Sequence, residues 1–160
     1  MQFEPLDAKF HNRTAFDCGV KPLNQYLQRL ANQDQKRSLT RVYVLADGNR
    51  IIGYYSLSAH SVSRENLPPG IKMGGYRDIP FLLLGRLAVD TRYQGQGYGD
   101  TLIVHAFETT REVAEKVGIM GIIVDAKDDQ AAAFYEGFGF HRLSATPNRL
   151  VLPISALTGH

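Results

Sequence analysis

Three glycines at alternate positions, Gly95, Gly97 and Gly99, follow an apolar segment that ends at Val89. Glycine lets the backbone adopt positive φ angles and approach a ligand closely. The residues after Gly99 have helical periodicity, and the free N–H groups and dipole of a helix start favour an anion. The segment 94–99 therefore predicts a loop that binds a phosphate or pyrophosphate. The alternative is that these glycines only form a turn.

Residue types and spacing exclude several other kinds of site. The chain has no Gly-Lys-Ser or Gly-Lys-Thr sequence, so the segment is not a P-loop. The spacing Gly-x-Gly-x-Gly, with no βαβ unit before it, argues against a dinucleotide-binding fold. Cys18 is the one cysteine of the chain, which excludes an internal disulfide and a Cys-based zinc site. We expect no metal at this site.

The periodicity of apolar residues predicts the elements that position this loop. We expect helices over 20–30, 99–117 and 128–135, and strands over 41–46, 51–58, 81–89, 120–124 and 150–152, with another strand beginning at Phe138. Asp47-Gly48-Asn49 predicts a hairpin turn between the first two strands. A polar loop is expected between Pro68-Pro69-Gly70 and Gly74-Gly75. Mixed helices and strands predict an α+β or α/β fold.

Length and composition are those of an ordinary globular protein. The 160 residues predict one domain over 1–160, and 44% hydrophobic with 21% charged residues excludes a disordered or fibrous chain. No apolar run approaches the roughly 20 residues of a membrane span, and the first ten residues contain no apolar signal region. We therefore expect a cytoplasmic protein with no membrane association.

Charge is unevenly distributed along the chain. Residues 21–50 contain six basic and two acidic side chains, whereas residues 106–136 contain three basic and seven acidic ones. The two segments therefore have net charges of +4 and −4. Such a dipolar surface can steer a polyanion onto one face. The alternative is that both segments are solvated helix faces.

The sequence Gln94-x-x-Gly97-x-Gly99 resembles the acyl-CoA signature of the Gcn5-related N-acetyltransferases (GNAT). The segment 87–90 resembles the central strand of that family, and Ala-Ala-Phe-Tyr-Glu-Gly-Phe-Gly-Phe at 132–140 resembles its C-terminal half. The resemblance implies a mixed, mostly antiparallel sheet flanked by helices and splayed at the acyl-CoA strand. It also implies that acetyl-CoA is the acetyl donor, bound by Leu87, Ala88, Val89, Gln94, Gly95, Gln96, Gly97, Tyr98 and Gly99.

Four further segments, 16–19, 23–27, 53–58 and 84–89, resemble the GNAT toxins of bacterial toxin–antitoxin pairs. This resemblance implies that the acceptor is the α-amine of an aminoacyl-tRNA, so that acetylation blocks translation. It further implies a ribbon-helix-helix antitoxin as partner and a homodimer. The alternatives are a GNAT enzyme that acetylates a small amine or a protein, and a non-catalytic module that binds acyl-CoA.

Tyr135 is the candidate general acid because it occupies the usual tyrosine position of the family. A phenol with a pKa of about 10 is protonated at neutral pH and can donate to a departing thiolate. The alternative is a core aromatic. We predict no general base, since Asp90 and Asp125 can simply cap turns, and no covalent intermediate on Cys18, which lies in a polar N-terminal segment with no adjacent histidine.

Basic side chains near the predicted acetyl strand are the candidates for RNA binding. Phosphate neutralisation by such side chains supplies most of the sequence-independent affinity of a protein for a nucleic acid. Each of them, taken singly, can also be an ordinary surface cation. The candidates are Lys36, Arg37, Arg41, Arg77, Arg86 and Arg92.

Overall fold

The computed structural model describes residues 1–69 and 74–158. Its strands are β1 (Gln2–Pro5), β2 (Arg41–Asp47), β3 (Arg50–Ser63), β4 (Asp78–Val89), β5 (Gly121–Asp125), β6 (His141–Arg142) and β7 (Arg149–Pro153). Its helices are α1 (Lys21–Gln25), α2 (Ala31–Lys36), α3 (Tyr98–Lys116), α4 (Asp129–Glu136) and α5 (Ile154–Thr158). Within these described ranges, no helix has both the length and the apolar character needed to cross a membrane. Gly70, at one end of the predicted polar loop, lies outside the described residues.

The described strands form one sheet in the order β1-β2-β3-β4-β5-β7-β6. β4 and β5 pair in parallel, whereas the β1–β2, β2–β3, β5–β7 and β6–β7 pairs are antiparallel. The predicted mixed, mostly antiparallel sheet is therefore confirmed. The register of β4 with β5 ends at Leu84–Val124, and β4 continues to Val89. This early end of the pairing agrees with the splay expected at the acyl-CoA strand.

Two compact units make up the chain. The first unit contains Met1–Ser58 and Gly85–Ala106, and the second contains Ala59–Leu84 and Phe107–His160. Each unit takes two separate stretches of the chain, because β3, β4 and α3 all contribute residues to both. That the two units act as a single domain stays a prediction.

The first unit has a core in which β2 and β3 pack with the N-terminal helices. Tyr54, fully buried, packs edge-to-face on Phe16 with ring centroids 5.5 Å apart, and its hydroxyl donates to Leu23 O at 2.7 Å. A Cβ at Gly53 would lie 2.9 Å from Leu102 Cδ1, so only glycine lets α3 approach β3 this closely. The predicted hairpin between β2 and β3 is confirmed.

Two elements of the first unit differ from the prediction. The predicted helix over 20–30 continues through a π-helical turn at Tyr26–Leu30 and through α2 to Lys36. Apolar periodicity stops at Leu30, but the Tyr26 hydroxyl donates to Asp34 Oδ2 at 2.9 Å and ties the polar extension to the preceding turn. The unpredicted β1 pairs with β2 in antiparallel register.

The second unit contains a core around β4, β5 and β7, with Phe81, Ile123 and Val151 almost completely buried. The prediction that a strand begins at Phe138 is wrong, because β6 begins only at His141. Residues 137–139 form the C-terminal turn of α4, with Gly139 at a φ of +100° and its N–H bonded to Glu136 O at 2.9 Å. A left-handed glycine of this kind ends a helix and delays the strand.

Candidate active site

The glycine-rich loop lies in the first unit, between the end of β4 at Val89 and the start of α3 at Tyr98. Gly95 and Gly97 have φ angles of +79° and +86°, which other residues rarely adopt. A Cβ atom added at either glycine would meet no heavy atom within 4 Å, so the space beside both is open. The first N–H groups of α3 have no acceptor inside the helix. This geometry can accept an anion.

The side chain of Gln94 fixes the loop by hydrogen bonds to two backbone carbonyls. Its amide Nε2 donates to Val89 O at 2.8 Å and to Cys18 O at 3.0 Å. Both N–H bonds of the side chain are therefore directed to the protein, and the amide ties the loop to β4 and to the N-terminal segment. Cys18 itself is buried and packs in the apolar core.

Asp90 anchors the other end of the loop. Its carboxylate, only 1% exposed, accepts two bonds from the Arg92 guanidinium, at 2.9 and 3.0 Å, and further bonds from the backbone N–H groups of Arg92 and Asp17. Burial raises the pKa of the Asp90 carboxyl, but the bonds from Arg92 and Asp17 outweigh it and lower the pKa overall. Asp90 caps the 3-10 turn at Thr91–Tyr93, which confirms the capping alternative.

The end of β4 presents the predicted acetyl-binding residues. Ala88 is buried, while Leu87 and Val89 are half-buried. On the neighbouring strand, the buried Ser56 Oγ has no hydrogen-bond partner among the described residues, and a Cβ at Gly85 would approach it to 3.2 Å. Glycine at that position leaves room beside a hydroxyl that can bind a polar group.

Tyr135 lies in the second unit, on α4. Asp128 starts this helix by accepting a bond from Ala131 N at 2.8 Å. The Tyr135 ring packs edge-to-face on Phe134 and Phe140, with centroids 5.2 and 5.6 Å away. Burial raises the pKa of Tyr135 to about 12, which keeps the phenol protonated at neutral pH. No hydrogen bond joins its hydroxyl to a residue of the described ranges, so the proton can be donated to a ligand.

The cations predicted to bind RNA have different surroundings. Lys36, Arg37 and Arg41 are exposed in the first unit, at the end of α2 and the start of β2. Arg41 Nη1 donates to the backbone carbonyls of Gln35 and Thr40, at 3.2 and 3.4 Å. Arg77 is exposed in the second unit. The first three are exposed cations of one short segment, residues 36–41, and we call them the basic surface.

The two remaining cations, Arg86 and Arg92, are held by other side chains. Arg86 is half-buried, and its Cζ lies 3.4 Å from the centroid of the Tyr26 ring, a cation–π contact. Arg92 is paired with Asp90 in a two-point bond. Its charge is therefore already compensated within the loop. The Arg86–Tyr26 contact joins residues that are far apart in the sequence, so spacing gave no signal for it, whereas the Arg92–Asp90 pair lies two positions apart within one turn.

Comparison with known proteins decides the family. The Acetyltransferase (GNAT) domain matches residues 38–142 of the chain. This chain belongs to the GNAT family. This GNAT protein is 32% identical over 165 residues to the probable toxin TacT of Sinorhizobium fredii (strain NBRC 101917 / NGR234), covering 96% of this chain and 91% of that protein.

Two further relatives extend the comparison. A tRNA-acetylating toxin of Mycobacterium tuberculosis (strain ATCC 25618 / H37Rv) is 32% identical over 139 residues, covering 87% of this chain and 84% of that toxin. The structure of AtaT complexed with acetyl-methionyl-tRNAfMet has a TM-score of 0.90 and 33% identity, covering 98% of this chain and 96% of AtaT. A tyrosine-to-phenylalanine mutant of AtaT bound to the C-terminus of the antitoxin AtaR and acetyl-CoA has a TM-score of 0.84 and 30% identity, covering 98% and 94%.

The residues of this chain fit the acyl donor that the GNAT family implies. Acetyl-CoA contains a pyrophosphate, and the open space beside Gly95 and Gly97 leaves their backbones accessible to such a group. Any other residue at these two positions would place a side chain in the space through which the pyrophosphate reaches the backbone. Gln94 and Asp90 were not expected to fix the loop by bonds to the protein, since their partners Cys18 and Asp17 are distant in sequence.

Proposed function

We propose that this protein is an acetyl-CoA-dependent N-acetyltransferase that acetylates the α-amine of aminoacyl-tRNA and so acts as a toxin that blocks translation. The observation that carries the proposal is the match, over 98% of this chain, with AtaT complexed with acetyl-methionyl-tRNAfMet. An acetylated aminoacyl-tRNA is the molecule that such a transfer produces. The relative named a tRNA-acetylating toxin supports the same acceptor.

The glycine loop supplies the donor site in this proposal. When bound, acetyl-CoA supplies an activated acetyl thioester. The backbone N–H groups from Gly95 to Gly99, together with the start of α3, hold the pyrophosphate. The N–H groups of Leu87, Ala88 and Val89 orient and polarise the acetyl carbonyl. Because Gln94 and Asp90 fix the loop, this geometry exists before the ligand binds, which reduces the ordering that binding requires.

Tyr135 supplies the proton that the departing sulfur needs. Its hydroxyl is protonated at neutral pH because burial raises its pKa to about 12. The ring is fixed by Phe134 and Phe140, so the direction of the hydroxyl is set by packing. Protein donors and acids of this kind contribute about 10²–10⁴-fold to a reaction rate.

The acceptor amine must be neutral when it attacks. The α-amine of an aminoacyl ester is less basic than a lysine amine, so water can remove its proton without a side-chain base. The carboxylate of Asp125 is bonded to Arg149 at 2.7 and 2.8 Å, and these bonds lower the pKa of Asp125. That ion pair makes Asp125 a poor base, and we assign no general base.

Further properties follow from the toxin-like segments. We propose that a cognate ribbon-helix-helix antitoxin neutralises this protein, that it is a homodimer and that it works in the cytoplasm. The complex of AtaT with the C-terminus of AtaR supports an antitoxin partner. Co-expression with the neighbouring reading frame tests neutralisation, and light scattering of the purified protein tests the dimer.

Transfer of labelled acetyl groups tests the proposed reaction. Purified protein is incubated with labelled acetyl-CoA and total aminoacyl-tRNA, and mild alkali then releases the amino acids. We expect labelled N-acetyl-amino acids from aminoacyl-tRNA and no label with deacylated tRNA. Label that enters only proteins or small amines would instead establish one of the alternative acceptors, and binding of acetyl-CoA without any transfer would establish the non-catalytic module.

A further inference from the structure

An open groove of about 930 Å³ lies in the second unit beside the end of β3 and the start of β4. Arg64, Tyr76 and Arg77 line it, and we call it the Tyr76 groove. Arg64 N donates to Arg77 O at 2.8 Å, so the backbones of the two arginines lie side by side. The volume is within the range of about 300–1,000 Å³ that is typical of ligand sites.

Tyr76 is the most exposed large hydrophobic side chain of the described residues. It is 78% exposed, whereas Phe10, in the first unit, is 53% exposed. An isolated exposed ring needs no functional explanation. A ring that lines a groove together with two arginines is different, because the groove then combines a stacking surface with positive charge.

The charges of both arginines are available for a ligand. Arg64 Nη1 donates to the carbonyl of Gly74, and neither Arg64 nor Arg77 has a carboxylate partner within residues 1–69 and 74–158. The nearby Glu65 accepts a bond from the Ser63 hydroxyl at 3.4 Å. Glu65 also lines the groove, so the groove presents an aromatic ring, one carboxylate and two guanidinium groups that have no ion-pair partner among the described residues.

We propose that the Tyr76 groove binds unpaired nucleotides of RNA, with a base stacked on the Tyr76 ring and phosphates on Arg64 and Arg77. Single-stranded RNA is recognised by this pairing of aromatic stacking with cationic contacts. An acidic peptide would use the arginines but gain little from an exposed ring. The inference rests on the proposed function, in which the acceptor is an aminoacyl-tRNA, whose unpaired 3′ end carries the reacting amine.

Fluorescence gives a direct test because the chain contains no tryptophan. Tyr76→Trp places a single tryptophan in the groove, and Phe10→Trp is the matched control at an exposed aromatic of the first unit. We expect uncharged tRNA to quench the tryptophan fluorescence of Tyr76→Trp and not that of Phe10→Trp. The same tRNA without its unpaired 3′ nucleotides should leave both unquenched.

Binding constants of the groove variants provide the second measurement. We expect Tyr76→Ala to weaken tRNA binding by about 5- to 150-fold, the contribution of one stacked base, and Tyr76→Phe to bind like the wild type. Replacing Arg64 and Arg77 by Gln removes two phosphate contacts. The slope of log K against log salt should therefore become shallower by about 1.4. Circular dichroism checks that each variant is folded.

Three results would overturn the inference. They are quenching by truncated tRNA equal to that by intact tRNA, an unchanged tRNA affinity in Tyr76→Ala, and a loss of antitoxin binding in Tyr76→Ala while tRNA affinity is kept. The last result would make the groove a protein-binding surface. Acetylation of aminoacyl-tRNA by the wild-type protein is measured separately, so the proposed function can stand or fail independently of the groove.

Discussion

At the residue scale, two features of the candidate site have local physical causes. The positive φ angles at Gly95 and Gly97 require glycine, and the raised pKa of Tyr135 follows from burial of its ring. Neither feature requires an unusual residue. The loop uses the backbone freedom of glycine, and the proposed proton transfer uses the weak acidity of a tyrosine.

The first prediction concerns the Tyr135 hydroxyl. Tyr135→Phe keeps the ring against Phe134 and Phe140, so stability and acetyl-CoA affinity should barely change. The acetylation rate should fall by roughly 10²–10³-fold, because the proton donor is lost. Rapid-quench kinetics measure the rate, and calorimetry measures the affinity.

The control for this substitution is Tyr93→Phe, which removes a hydroxyl that accepts a bond from Arg50 Nη1 at 3.1 Å. That variant should retain the wild-type rate. Tyr135→Phe should also be expressible without an antitoxin. A rate for Tyr135→Phe close to that of the wild type would place this tyrosine only in the core.

The second prediction concerns the titration of Tyr135. Burial raises its pKa to about 12, so the neutral phenol persists above the pH of about 10 at which an ordinary tyrosine ionises. The difference in absorbance at the phenolate band between the wild type and Tyr135→Phe should therefore appear near pH 12. A difference that appears near pH 10 would contradict this burial.

At the element scale, the loop between β4 and α3 is fixed from both ends. Gln94 connects it to the carbonyls of Val89 and Cys18, and Asp90 holds Arg92 and the N–H of Asp17. A loop held in this way does not have to be ordered by its ligand, which favours binding. The glycines then determine how closely a ligand can approach.

The third prediction tests the glycine loop. Gly97→Asp should abolish acetyl-CoA binding, because it adds a negative side chain in the open space that a pyrophosphate would occupy, at a φ of +86°. Gly48→Asp is the matched control, with a φ of +59° and equally open surroundings in the β2–β3 hairpin. Calorimetry measures the acetyl-CoA affinity of both folded variants. Loss of binding in Gly97→Asp but not in Gly48→Asp would show that the aspartate excludes the ligand, and not that backbone strain disturbs the fold. Unchanged affinity in Gly97→Asp would refute the assignment of the loop.

The fourth prediction tests the Asp90 anchor. Asp90→Asn weakens bonds to a charged group and should lower the free energy of unfolding by roughly 1–3 kcal/mol at neutral pH. The folded-state pKa of Asp90 is lowered, so its stabilisation is present above the unfolded-state pKa and lost as pH falls through the folded-state pKa. Denaturant unfolding should show that the difference in the free energy of unfolding between wild type and variant disappears at acid pH. A difference in the free energy of unfolding that stays constant with pH would contradict a stabilising role of the Asp90 charge.

At the scale of the whole molecule, charge separates along the chain into basic and acidic segments. Residues 21–50 have a net charge of +4 and residues 106–136 a net charge of −4. In the structure, Lys36, Arg37 and Arg41 of the basic segment are exposed. Exposed cations in series favour a polyanion over a small cationic amine.

The fifth prediction is that this basic surface binds tRNA. Reversal of the charges of Lys36, Arg37 and Arg41 should weaken tRNA binding and flatten its dependence on salt, because phosphate contacts release counterions. Acetyl-CoA affinity should not change. Reversal at Lys116 and Lys127, in the acidic segment, is the control and should leave the tRNA salt titration unchanged. Superimposable titrations of the wild type and the triple variant would mean that the surface is merely solvated.

Local properties of the sequence were enough to predict most of the elements and the position of the loop. Glycine spacing after an apolar strand located the segment 94–99, and periodicity located α3, α4 and most strands. These predictions succeed because backbone preference and apolar periodicity act over a few neighbouring residues. They failed where the turn at Gly139 delays the next strand to His141 and where polar residues up to Lys36 extend a helix.

The tertiary structure alone decided which polar groups are free to act. Gln94 and Arg86 were both candidate binding residues in the sequence, yet Gln94 donates to the carbonyl of Cys18 and Arg86 lies over the ring of Tyr26. Tyr76, in contrast, is left in water beside Arg77. A hydrogen bond or an ion pair depends on distances of about 3 Å. Folding sets those distances between residues that are far apart along the chain, so no local pattern can report them.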